Sequence, residues 1–230
     1  LHGKFAVDAF AAKRDLYIDS MLLAKEIAAA LVEDKKIGIY SAFPVLGTVP
    51  AELTQVENLY GVESDETKAE KQNLLSLGFS ITYRKNQPFP NTLHLVPKTV
   101  VLGIGCKRGT EAESIRALIR ETLEQNQIFK ESICLIASID LKKDEEGIRI
   151  CAEELGVPFV TWSAEELEQV QSEDGFTESA FVRSVAGVGN VCERSALKGA
   201  GTSRLLIRKT AHNGVTVAAA VKDYTVCMED

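Results

Sequence analysis

The 230-residue chain holds only three histidines, one tryptophan and two methionines. Its five cysteines, Cys106, Cys134, Cys151, Cys192 and Cys227, lie far apart and form no CxxC pair. That excludes the common zinc-binding spacings, and scattered thiols in odd number point to reduced cysteines rather than a disulfide framework. His2, His94 and His212 are dispersed, and none is read as a metal ligand. No apolar run approaches the ~20 residues needed to cross a bilayer; "TVVLGIG" (99–105) has the length of a strand. A basic segment leading into an apolar one, as in a signal peptide, is missing. The first residue is Leu1 rather than Met, so a domain-sized piece of a longer chain is expected. Excess positive charge is also lacking: the net charge is −7, which argues against general nucleic-acid binding but not against a local basic pocket. These absences lead to the expectation of a cytoplasmic protein with neither a membrane nor a nucleic-acid partner.

What is present is an ordinary globular composition, 45% hydrophobic and 26% charged, with room for one large domain or two small ones. The spacing predicts helices over 3–15 and 19–34, the second with Asp19 or Ser20 as cap and Leu22, Leu23, Ile27, Ala30 and Leu31 as an apolar stripe. Strands are predicted over 36–43 and 79–85, and "VESDETKAEK" (62–71) reads as a solvated loop or short helix. "NQPFPN" (86–91), with two prolines, is the expected boundary between a region 1–92 and a domain 93–230.

Beyond it the alternation is regular. Strands at 99–105, 132–140 and 157–162 are separated by helices at 110–126 and 143–156. Thr110 with Glu113, and Ser163 with Glu166, have capping-box spacing. Such alternation implies βαβ units and a parallel sheet, and burial on both faces explains the continuous apolar strands. The segment 178–186 is a weak helix, and 188–201 a glycine-rich turn into a helix and a glycine exit. "LLIRKT" (205–210) and "VTVAAAV" (215–221) flank Asn213–Gly214, the signal of a hairpin.

In an open parallel sheet, ligands bind beyond the carboxyl ends of the strands. There lie "GIGCKRG" (103–109), "SIDLKKDE" (138–145) and "WSAEE" (162–166), with the turn before Val191 as a fourth candidate. The first is neither a Walker loop, since Gly109 precedes Thr110 instead of Lys, nor GxGxxG, since its third glycine comes one residue late. Two readings stand: a tight strand-to-helix turn, or an anion loop in which Gly103 and Gly105 let the backbone approach a ligand and Lys107 and Arg108 supply charge. Glu111 and Glu113 would partly neutralise such a site. Cys106, near two cations and a helix start, is expected to have a lowered thiol pKa, as a nucleophile or simply as a small residue. Lys142 is a candidate carboxylate ligand, and Glu145 or Asp140 a proton carrier, against a solvated helix start. Glu193 is a candidate acid–base group or a helix cap.

Taken together, "LGIGCKRGT" (102–110), "IDLKKDEEG" (139–147), "WSAEEL" (162–167), "VGNVCERSALKGAG" (188–201) and "LLIRKT…VTVAAAV" (205–221) resemble, in order and spacing, the C-terminal domain of the CbiG family of cobalamin biosynthesis. "GKFAVDAFA" (3–11) resembles the linker into that family's middle region, whose preceding domain carries a "GHxGGAN"-like motif not found here. The resemblance implies a three-layer αβα C-terminal domain with a mixed, largely parallel sheet, preceded by a smaller α/β region. It implies a cobalt-precorrin-5A hydrolase, an enzyme of porphyrin metabolism acting on a carbon–carbon bond. Water opens a ring δ-lactone, acetaldehyde leaves and cobalt-precorrin-5B forms. The substrate brings its own cobalt, so no protein metal and no cofactor are expected, and the partner is a corrinoid, with a homodimer as the candidate assembly. On this reading Glu193 and Glu145 are the catalytic candidates, and Gly103, Gly105, Cys106, Lys107, Arg108, Lys142, Ser163, Gly189 and Asn190 line the substrate site. A non-catalytic tetrapyrrole carrier of the same pathway is the alternative, and a nucleotide-binding α/β domain a third reading.

Overall fold

The computed structural model describes residues 4–56 and 75–229, so the expected loop or helix at 62–71 lies outside the described residues. The chain forms two compact units, one of residues 1–97 with 224–230, the other of residues 98–223.

In the first unit, α1 (Val7–Lys13) and α2 (Met21–Val32) cover a sheet ordered β1-β6-β5-β2-β4: β1 Tyr17–Ile18, β2 Ile37–Ser41, β4 Leu53–Gln55, β5 Leu77–Ile81 and β6 Asn91–Val96. All neighbouring pairs are parallel except β1 with β6. Ser20 caps α2 by accepting from the Leu23 N–H at 3.2 Å. Asp19 instead accepts from the His94 N–H (2.9 Å) and lies 2.7 Å from His94 Nδ1. The expected stripe is shifted: Ala24, Ile27, Ala30 and Leu31 are buried, whereas Leu22 is 69% exposed. Phe89 explains two glycines, because a Cβ on Gly38 or Gly78 would sit 2.2 or 2.4 Å from its ring. A division at 92/93 would cut through β6, and it is corrected to 97/98. The prolines of 86–91 serve the loop into β6, whose Leu93 and Leu95 are completely buried in this unit's core. The chain's last segment also returns here, where β12 (Val226–Cys227) pairs in parallel with β3 (Val45–Leu46).

The second unit holds β7 (Val100–Cys106), α3 (Ala112–Gln125), β8 (Ile133–Ile139), α4 (Glu146–Leu155), β9 (Phe159–Trp162), α5 (Ala164–Glu168), α6 (Ala180–Ala186), α7 (Val191–Ala200), β10 (Leu205–His212) and β11 (Val215–Val221). The sheet order is β10-β11-β7-β8-β9. The βαβ strands β7, β8 and β9 run parallel, and the hairpin joins β7 on its other side antiparallel, from Val215 opposite Cys106 to Val221 opposite Val100. Asn213 (φ +50°) and Gly214 (φ +79°) make the left-handed turn that such a hairpin needs. Side chains alternate across the sheet. Val101, Leu135, Ala137, Ala218 and Ala220 pack on α7, while α3 and α4 lie against β11 and β8 respectively. The unit is the expected αβα sandwich.

One cap differs from expectation. Helix α3 starts from Glu111 with no side-chain cap. The Thr110 hydroxyl is already used, donating to Lys107 O at 2.7 Å and closing the turn after β7. The Ser163–Glu166 box forms as expected, the Ser163 hydroxyl accepting from the Glu166 N–H while Glu166 accepts from the Ser163 N–H.

Candidate functional site

At the carboxyl edge of the second sheet, the loop after β7 is tied on both sides. The Lys107 N–H donates to Gly214 O in the hairpin tip at 3.1 Å. The Gly109 N–H donates to Glu145 Oε2 at 2.9 Å, and Lys142 Nζ donates to Glu145 Oε1 at 3.0 Å. Gly109 has φ +70°, a conformation that costs most residues a Cβ clash. Between these ties Lys107 and Arg108 are exposed. Neither side chain has a hydrogen bond or ion pair among the described residues, although Arg108 contributes to the field at Glu145. Glu145 is buried. Burial pushes its carboxyl up, but the Gly109 N–H and the bond and charge of Lys142 outweigh this and hold it below the usual carboxylate range.

Two expectations for this segment are corrected. The Cys106 thiol is raised, not lowered: desolvation leads and the Glu145 charge adds to it, against the opposing charge of Lys142. The exposed cations beside it do not offset burial. Gly103 cradles no ligand; a Cβ there would lie 1.8 Å from Cys192 O, so this glycine lets α7 close onto β7. Gly105 is likewise matched to protein, with a would-be Cβ 2.6 Å from Thr216 Oγ1, whose hydroxyl donates to Gly105 O at 3.3 Å.

A second cluster surrounds the start of α7. Asn190 caps it by accepting from the Glu193 N–H at 2.9 Å. Glu193 is wholly buried (0% exposed). Its Oε2 accepts from the Thr177 N–H (2.9 Å) and Asn190 Nδ2 (2.8 Å), and its Oε1 from the Thr177 hydroxyl (3.2 Å) and the Lys209 N–H (2.8 Å). Four donors fill the roughly four lone-pair sites of a carboxylate. Arg208 Nε adds charge at 3.9 Å. A group so occupied can neither bind water nor pass a proton, so the expected acid–base role of Glu193 is corrected to a structural node. Gly189 is equally committed, since a Cβ there would overlap the Glu178 carboxylate.

A cavity of about 480 Å³, lined by Glu26, Glu33, Lys35, Lys36 and Ser76 among others, lies in the first unit and touches none of these residues.

Residues 100–220 match the family model for the cobalamin synthesis G C-terminus. The chain belongs to that family. Residues 5–97 match the model for the cobalamin biosynthesis central region, so the two matches follow the two units. Among curated relatives, the cobalt-precorrin-5A hydrolase of Salmonella typhimurium is 38% identical over 127 residues, 55% of this chain and 35% of that protein. The enzyme of the same name from Priestia megaterium is 34% identical over 128 residues, 56% of this chain and 33% of that protein. The matched stretch thus spans about a third of the length of each hydrolase. Protein CobE of a Sinorhizobium species is 34% identical over 108 residues, 47% of this chain and 70% of that protein.

Within this member of the family, the fold brings together Cys106, Lys107, Arg108, Lys142 and Glu145. Gly189, Asn190 and Glu193 form the separate α7 cluster, and Ser163 is spent as the cap of α5. Sequence reasoning passed over Arg194, which is buried, lies 3.9 Å over the Phe176 ring and donates to Glu178 (2.9 Å) and to Leu167 O (3.2 Å). It also passed over Thr177. Both act through partners 16 to 27 positions away, beyond the reach of local spacing.

Proposed function

We propose that this chain is the substrate-holding portion of a cobalt-precorrin-5A hydrolase. In this reading the δ-lactone of the cobalt-corrin precursor is opened by water and the two-carbon fragment is released as acetaldehyde. The cobalt arrives with the substrate, and no protein metal or cofactor takes part. The observation that carries the reading is the pair Lys107 and Arg108: two cations with no ion pair among the described residues, on a loop fixed at both sides, at the carboxyl edge of the sheet, in a family whose curated members include hydrolases of that name. A macrocycle fringed with acetate and propionate groups offers the anions such a loop lacks, and Arg108 can grip a carboxylate through two N–H groups. Glu145 is ionised and engaged, so it does not protonate a leaving group.

Cobalt-precorrin-5A mixed with the protein should shift its visible spectrum, and the whole hydrolase that contains these residues should yield acetaldehyde with turnover. Arg108→Glu should weaken binding by tenfold or more, an order set by one charge-assisted pair; unchanged affinity would overturn the assignment. The carrier reading has its own support in the saturation of Glu193 and the match to CobE. It predicts the spectral shift without acetaldehyde.

A further inference from the structure

The proton-carrying role first read into Glu145 does not suit its surroundings, and those surroundings point elsewhere. Each carboxylate oxygen is held, one by the Gly109 N–H at 2.9 Å and the other by Lys142 at 3.0 Å. The residue stands at the start of α4, directly after the loop that follows β8. It therefore ties the loop after β7 to the loop after β8, two neighbouring connections on the binding edge. Gly109 gives the first loop a conformation with little intrinsic rigidity, and an unrestrained glycine loop must lose that freedom when it closes on a ligand. A carboxylate beside an anion site would ordinarily repel the ligand. Here Lys142 neutralises it, and only 17% of that lysine side chain is exposed. The pair thus provides a rigid tie at little electrostatic cost.

We infer that Glu145 is a positioning residue: it accepts the Gly109 N–H, with Lys142 as its counter-charge, so that Lys107 and Arg108 are held ready for the substrate's carboxylates. The inference rests on the corrinoid-holding role proposed above and adds to it the residue that sets the loop. Glu145 acts through the two cations and touches no reacting atom.

A double-mutant cycle on the full chain tests it, with cobalt-precorrin-5A binding followed by visible titration and folding by thermal melts. Glu145→Ala should weaken binding about tenfold, the scale of one lost bond to a charged group. In a Lys107→Ala/Arg108→Ala background the same change should have no further effect, because the groups it positions are gone. Glu145→Gln keeps an acceptor for the Gly109 N–H and should restore part of the affinity. If Glu145→Ala fails to fold, the cycle run with Glu145→Gln decides. Binding that is unchanged in the single variant, or losses that multiply independently in the combined variant, would overturn the inference while leaving the holding role intact. Absence of binding by the unaltered protein would overturn both.

Discussion

Glu145 and Glu193 are two buried carboxylates near the ligand edge of one sheet, each close to a helix start, yet they organise opposite kinds of surroundings. Around Glu193 every donor points inward: two backbone N–H groups, a hydroxyl and an amide fill its oxygens, and no charge is left over for a ligand. Around Glu145 one of the two bonds ends on a loop whose two cations are exposed and have no hydrogen-bond or ion-pair partner among the described residues. Burial alone does not separate them. The separation lies in what remains unsatisfied after the protein's own bonds are made: nothing at the first, two positive charges at the second. A carboxylate in a cleft is thus judged better by its free lone pairs and its neighbours' spare charge than by its position at a helix start.

The largest effect should come from the node. Glu193→Ala would take from the Thr177 and Lys209 N–H groups and the Asn190 amide the buried acceptor they share, and should lower stability in urea by about 3 kcal/mol or more. A small loss there would break the comparison. Next is Gly103→Ala, whose methyl would press on Cys192 O and lift α7 from β7; overpacking of this kind should cost about 1–3 kcal/mol in a thermal or urea melt. At the loop, the stability effect should nearly vanish: Arg108→Glu, which weakens binding, should change unfolding by less than about 0.5 kcal/mol. The cysteines sharpen the same contrast. Burial pushes the Cys192 thiol up to about 12, whereas Cys106 is raised less and is only half-buried. Mass-spectrometric labelling by an alkylating reagent at pH 8 should therefore modify exposed Cys227 first, Cys106 slowly, and Cys192 only on unfolding.

Most of the second unit was legible because its signals are local. The βαβ alternation, the Ser163 box and the Asn213–Gly214 turn depend on residues a few positions apart, and each formed where expected. The Thr110 box failed because its hydroxyl had a nearer acceptor in Lys107 O, a competition that spacing does not reveal. The boundary at 92/93 failed because prolines mark a loop, and whether a loop ends a domain depends on what the following strand pairs with. Here β6 pairs with β5 and β1 of the same unit.

By itself, the sequence determined most of the strands and helices of the second unit, that Lys107 and Arg108 stand at a strand end, and, through an ordered set of motifs, the family. Periodicity, caps and turn residues act over one or two turns of chain, so they can be read without coordinates. Tertiary structure decided what the candidate residues do. Gly103 became a contact for α7 and Glu193 a saturated node, while Glu145 became the tie of the cationic loop. Each of these outcomes depends on a partner from another element: Cys192 for Gly103, Thr177 and Lys209 for Glu193, and Gly109 for Glu145. Whether a donor, an acceptor or a charge is left for a ligand is known only after those distant partners have been brought together.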